Sequence, residues 1–253
     1  VSADRVTYVG HATVLVELGG VRLLTDPLLR RRVGHLLRRG PAPSPAVTGR
    51  LDAVLISHLH HDHVDLPSLR RLPPGTPLVV PAGSREFFAR RGFEVLAALA
   101  PGDSVRLGAV VVTATEADHD GARPFGRVAA TAVGYLLSHA RRRVYFAGDT
   151  DLFAGMAALG APGLDLALLP IWGWGPSLGP GHMNPERAAR AAAQLRPRVA
   201  VPIHWGTYYP AGLARARPAP LLRPPEAFAA RVADLVPEVE VRILGLGEST
   251  GVG

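Results

Sequence analysis

Cysteine is absent from the 253 residues, which excludes disulfide staples, thiolate metal ligands and a cysteine nucleophile. Any metal would have to be held by histidine and carboxylate. The absence leaves the redox compartment open, with the cytoplasm as default. Lysine is missing too, so the 28 cationic residues behind the net charge of +7 are all arginine. They accompany abundant alanine, glycine and proline, a pattern that fits genomic base composition better than a polyanionic partner, and nucleic acid is not expected. No apolar run reaches the ~18 residues of a membrane span, and Val1 opens no charged-then-apolar leader; the chain reads as soluble, with no transmembrane segment. There is no Gly-x-Ser-x-Gly nucleophile elbow, no linker, and no repeat of roughly 20 to 50 residues. With 47% apolar and 19% charged residues, a packed globule follows rather than disorder, expected as one domain over 1–253.

Short β-branched runs over 6–9, 12–18 and 21–25 predict consecutive strands, with Gly19-Gly20 as a turn. Residues 28–48 read as a long connection, in which Arg30, Arg31, Arg38 and Arg39 are expected on a solvated face. Residues 52–57 form a short apolar strand candidate, followed by helix, strand and helix over 66–72, 77–81 and 84–91. The stretches 104–116 and 131–147 are strand-rich. Helices at 152–159, 184–195 and 225–236 then alternate with strands at 164–170, 199–203 and 239–244. Asn184 as N-cap, Pro185 at the first helical position and Glu186 in the first turn mark the start of one helix. The recurrence of strands and helices through both halves implies an α/β architecture with helices outside sheets.

Four of the ten histidines fall within Ser57-His58-Leu59-His60-His61-Asp62-His63, directly after an apolar strand. Imidazole is the commonest neutral metal ligand, and a dense set beyond a strand end lets several side chains converge. The pattern His58-x-His60-x-Asp62-His63 resembles the signature of the metallo-β-lactamase superfamily. So do Tyr8-Val9-Gly10-His11-Ala12-Thr13 and Thr25-Asp26-Pro27 upstream, and His119, Asp149 and His204 downstream, in that family's order. The resemblance implies an αββα sandwich, two mixed β-sheets flanked by helices, with a metal site at the strand-end edge. It further implies that His58, His60 and His119 hold one divalent ion, that Asp62, His63 and His204 hold a second, and that Asp149 bridges them. Zinc is the expected metal, with manganese or iron as alternatives. A hydroxide shared by ions roughly 3.5–4 Å apart would then be the nucleophile.

Asp26 resembles the family aspartate that buttresses the ligand loop by hydrogen bonding, and His11 is expected beside it, as a turn histidine or near the metal mouth. His61 is expected to point outward, and His35 and His139 to be solvated. The combination of Gly10-His11-Ala12-Thr13, Gly181-His182-Met183-Asn184-Pro185-Glu186 and His204-Trp205-Gly206-Thr207 looks like the branch containing N-acylphosphatidylethanolamine-hydrolysing phospholipase D and ascorbate-6-phosphate lactonase. Both handle phosphorylated substrates. The expected activity is a binuclear hydrolase of a phosphodiester or a phosphorylated ester or lactone, small or lipid-derived, with Asp62, Asp149 and His182 as catalytic groups. His182, Trp172, Trp174 and Arg123 are the candidate substrate contacts. The alternatives are an RNA-processing nuclease of the same superfamily and a non-catalytic, metal-stabilised binding protein.

Overall fold

The β-branched runs near the start form three consecutive antiparallel strands, β1 (Arg5–Gly10), β2 (Thr13–Leu18) and β3 (Val21–Thr25). Gly19 and Gly20 turn β2 into β3 at positive φ, a conformation free of Cβ strain only for glycine. The computed structural model describes residues 4–122 and 128–253. Next come β4 (Arg32–Val33), β5 (Leu36–Arg38), β6 (Ala53–Leu55), α1 (Leu66–Leu69), β7 (Leu78–Pro81), α2 (Arg85–Ala89) and β8 (Val95–Leu99). Two antiparallel pairs follow, β9 (Ser104–Leu107) with β10 (Val110–Glu116), and β11 (Val133–His139) with β12 (Arg142–Phe146). The chain continues through α3 (Met156–Gly160), β13 (Leu166–Pro170), α4 (Pro185–Leu195), β14 (Val199–Ile203) and β15 (Tyr208–Pro210). It closes with α5 (Leu213–Ala216), α6 (Ala219–Leu222), α7 (Pro224–Leu235), β16 (Glu240–Val241) and β17 (Ser249–Gly251).

These strands make two seven-stranded mixed sheets, ordered β17-β1-β2-β3-β6-β7-β8 and β16-β14-β13-β12-β11-β10-β9. Each passes from antiparallel to parallel pairing, at β3–β6 in the first and β12–β13 in the second. Their inner faces share one core, in which Val14, Val16 and Leu55 meet Val112, Tyr135, Phe146 and Val201. Ala188, Ala192, Phe228 and Val232 of α4 and α7 cover the outer face of the second sheet. Leu69, Phe87 and Phe88 of α1 and α2 cover that of the first. The result is the αββα layering. Strands β13 and β14 are buried along their whole length, which explains their unbroken apolar sequence.

The long connection is more structured than its sequence suggests. Strands β4 and β5 form a hairpin that pairs with β15 in a separate three-stranded sheet. Tyr208 anchors it by donating its hydroxyl to the carbonyls of Leu28 and Arg30. The solvated-face expectation fails for two arginines. Arg38 is buried and donates to the carbonyls of Val9 and Pro41. Arg30 is half-buried and binds both oxygens of Asp65, at 2.8 and 2.7 Å. Arg31 and Arg39 are exposed. The helix expected at 152–159 forms only over α3, and the strand expected at 239–244 only over β16. No helix among the described residues is long and apolar enough to cross a membrane.

The cap of α4 is formed as its sequence implies, with Asn184 Oδ1 accepting from the Arg187 amide at 2.9 Å. Asn184→Ala removes that acceptor. The expected loss is about 1 kcal/mol of stability, read as a lower urea midpoint at unchanged m-value.

Candidate metal centre

Each candidate ligand follows the carboxyl end of a strand: the His58–His63 loop after β6, His119 after β10, Asp149 after β12 and His204 after β14. In layered α/β proteins such ends gather the functional loops on one edge. Three non-glycine residues there hold positive φ, His11 at 59°, Asp26 at 33° and His204 at 62°. Strain of this kind persists only where the surrounding structure over-determines it. Gly148, with φ 62°, has no Cβ to collide with Ser57 Cβ, which would lie 2.7 Å away. The Asp149 turn can therefore lie directly on the ligand loop.

Two donor clusters result. The ligand atoms of His58, His60 and His119 lie within 4.8 Å of one another, as do those of His11, Asp62, His63 and His204. His60 Nδ1 faces His119 Nε2 at 3.1 Å, and His63 Nε2 faces His204 Nε2 at 3.1 Å. Asp149 sits between the clusters. It also groups with His119 and His182, and its oxygens lie 3.2 Å from His63 Nε2 and 3.3 Å from His204 Nε2. The structure thus brings together all seven residues that the resemblance assigns to metals.

Surrounding groups fix which nitrogen of each ring carries the proton. His119 Nδ1 lies 2.8 Å from the Gly181 carbonyl and His204 Nδ1 lies 2.7 Å from that of Trp172. A carbonyl only accepts, so both Nδ1 atoms are protonated and both Nε2 lone pairs face the cleft. Asp26, wholly buried, accepts from the Ser57 amide at 2.8 Å and from Ser57 Oγ at 2.5 Å. With its proton committed there, Ser57 Oγ accepts from His58 Nδ1 at 3.0 Å. That frees His58 Nε2 as a lone pair, and it finds no hydrogen-bond partner. His63 Nδ1 also donates to Asp26, at 2.8 Å. Ser57, which the sequence reading passed over, is the relay between Asp26 and His58.

His11 donates through Nε2 to Asp62 at 3.0 Å, and its ring lies 3.8 Å from that of His204 between centroids. Its carbonyl accepts from the His204 amide at 2.9 Å, so it steadies both residues. His182 lies above Asp149, with Nε2 3.4 Å from Oδ2, while its Nδ1 donates to the Pro180 carbonyl at 2.9 Å. Trp172 is half-buried and donates its indole N–H to the Gly175 carbonyl. Trp174 packs on the small cluster of Leu28, Val33, Leu36 and Tyr208. His61 and His35 are exposed and His139 is half-exposed; the His35 ring meets Trp174 edge-on at 5.0 Å. Arg123 lies outside the described residues.

Electrostatics sort the rings further. Burial holds His58 well below the usual imidazole range and puts His119 and His11 at about 4. Burial also opposes charge on His63, but Asp149 and Asp62 outweigh it and raise His63 well above the usual range. His182 is likewise disfavoured by burial, yet hydrogen bonding and attraction to Asp149 raise it to about 9. Burial would raise both carboxylates, but the neighbouring imidazoles hold Asp62 and Asp149 well below their ordinary value.

The donor set suits divalent cations. Nitrogens and oxygens about 2.0–2.1 Å from a tetrahedral zinc are separated by about 3.3 Å, close to the 3.1–3.3 Å spacings found here. Asp149 Oδ1, like His58 Nε2, is buried without a hydrogen-bond partner. Leaving such atoms unmatched costs about 1–3 kcal/mol each, which a bound cation would offset.

Comparison with known proteins agrees with this geometry. The family model for the beta-lactamase superfamily domain matches residues 21–205. A UPF0173 metal-dependent hydrolase of Deinococcus radiodurans is 32% identical over 252 residues, spanning 97% of this chain and 98% of that protein. The N-acyl-phosphatidylethanolamine-hydrolyzing phospholipase D 1 of Caenorhabditis elegans is 31% identical over 227 residues, 80% of this chain and 64% of that enzyme. Igni18, a metallo hydrolase of Ignicoccus hospitalis, matches with a TM-score of 0.75 at 26% identity over 98% of both chains. The chain belongs to the metallo-β-lactamase superfamily and is a metal-dependent hydrolase of that group.

In the metal-free protein at pH 7, His63 is protonated whereas His58 and His119 are not. Zinc loading is therefore expected to release a proton from His63. Apparent affinity rises with pH below the raised His63 pKa, by up to about tenfold per pH unit. Calorimetric titration in buffers of differing ionisation enthalpy counts that proton, and a buffer-independent enthalpy contradicts the assignment. Asp26→Asn, which weakens the support of His58 and His63, is expected to lower zinc affinity about 10- to 100-fold.

Proposed function

We propose that the chain is a binuclear hydrolase of a phosphodiester or a phosphorylated ester or lactone, with His58, His60 and His119 holding one ion, Asp62, His63 and His204 the other, and Asp149 spanning both. Two divalent ions, zinc first with manganese or iron as alternatives, would lower the pKa of water between them and polarise the attacked oxygen. The chain's own residues do the rest. Asp26, Ser57, Gly181 and Trp172 fix the rings through the hydrogen bonds described above. His11 orients Asp62 by donating to it.

The position of His182 carries the reading toward an anionic substrate. Its Nδ1 donates to the Pro180 carbonyl, and its Nε2 lies 3.4 Å from Asp149 Oδ2, turned toward the candidate ligands. With Asp149 engaged by the ions, an N–H at Nε2 would be free to stabilise charge developing on a phosphoryl or carbonyl oxygen, or to protonate a leaving group. The hydrolysis of N-acyl-phosphatidylethanolamine, a phosphorylated lipid, named for the Caenorhabditis elegans relative supports the same class.

The test is a panel of bis(p-nitrophenyl) phosphate, alkyl phosphodiesters and phosphorylated lactones on zinc-loaded protein. Asp149→Ala is expected to abolish turnover with modest effect on folding. His182→Gln is expected to lower kcat about 10²- to 10⁴-fold at unchanged metal content. Turnover by Asp149→Ala after verified metal loss, or an unchanged kcat for His182→Gln, contradicts these roles.

A further inference from the structure

Beside the metal centre lies a cavity of about 580 Å³, inside the roughly 300–1,000 Å³ range of small-molecule pockets. Its walls come from Val33 and Leu36 of the β4–β5 hairpin, Val64 and Leu66 at the start of α1, and Trp174. Asp62 borders it as well, which puts one end of the cavity beside the cluster that Asp62 forms with His11, His63 and His204. A smaller hollow of about 160 Å³ lies over His182 and His204, and Trp174 is a wall of both spaces. The two spaces thus flank Trp174, with Asp62 at the inner side of the larger one and His182 and His204 at that of the smaller.

We infer that this cavity receives an uncharged apolar arm of the substrate, an alkyl or aryl group attached to the bond that is cleaved. The inference rests on the hydrolase reading above and narrows its substrate class. The guanidinium and carboxylates in the wall are already matched: Arg30 is bound bidentately to Asp65, and Asp62 is turned toward His11, His63 and His204, while the imidazoles of His35 and His61 lie at the exposed rim. A charged or heavily hydroxylated arm would find no counter-charge there and would lose its hydration, whereas methylenes gain by leaving water. The walls are formed in advance. Tyr208 holds the hairpin to Leu28 and Arg30, and Asp65 caps α1 through Ser68, so little ordering entropy is lost when the arm enters.

The test uses two probe series on zinc-loaded protein, linear hydroxamates and linear alkylphosphonates from two to eight carbons, with affinity read by isothermal titration. The hydroxamate head seeks metal irrespective of the phosphorylated-substrate reading. Affinity is expected to rise about fourfold per methylene over the first several carbons. Leu66→Asp, a half-exposed position in the first turn of α1, is expected to flatten that slope, measured relative to acetohydroxamate affinity in the same variant. Trp174→Ala is expected to reduce the slope without a new charge. A flat slope in the parent protein, absence of binding by the octyl members of both series, or a slope unchanged in both variants would overturn the inference. A steep hydroxamate series with no phosphonate binding upholds the apolar arm and overturns the phosphorylated-substrate reading instead.

Discussion

The carboxylate of Asp26, wholly buried directly after β3, is the point on which the ligand loop depends. Three donors converge on it, the Ser57 amide, Ser57 Oγ and His63 Nδ1, offsetting the desolvation of a buried carboxylate. Its own backbone is held as firmly, its amide donating to the Leu55 carbonyl and its carbonyl accepting from Thr13 Oγ1. One residue therefore sets the path of the loop and the tautomers of two of its histidines. Without such a fixed acceptor the rings would be free to turn, and a metal site loosened by a fraction of an ångström loses affinity and reactivity.

The sandwich supplies what the loop cannot. His119, Asp149 and His204 come from three strands of the second sheet, and they reach the first sheet's histidines only because the two sheets share a continuous core. Tyr135 reinforces that contact near the site. It lies on β11 and donates its hydroxyl to the Ile56 carbonyl at 2.6 Å, beside the ligand loop. Crowded rings such as His58 and His63, 4.0 Å apart between centroids, and three positive-φ residues are held by this packing together with the hydrogen bonds of Asp26, Ser57 and His11.

Part of this was legible in the sequence: the His58–His63 cluster stands out directly after a strand candidate, and the cap at Asn184 is a three-residue pattern. Asp26, His119, Asp149 and His204 are isolated residues that only the resemblance to the superfamily's ordered motifs picked out. What was illegible depends on partners remote in the chain. Nothing around Arg30 or Arg38 announces Asp65 or the Val9 carbonyl, so both arginines read as surface. The hairpin of β4 and β5 has strands of two and three residues, too short for a periodicity, and its partner β15 lies far downstream. Ser57 carried no signal of its own beyond standing next to His58.

The separate three-stranded sheet also divides the coding of the enzyme. Strands β4, β5 and β15 pair with one another and with neither main sheet, while the metal-facing side chains hang from the main sheets' loops. If the cavity takes the proposed apolar arm, changes at Val33 and Leu36 would alter its reach and bulk without replacing any candidate metal ligand. The seven residues 32–38 would then tune which molecules fit, separately from the groups that react.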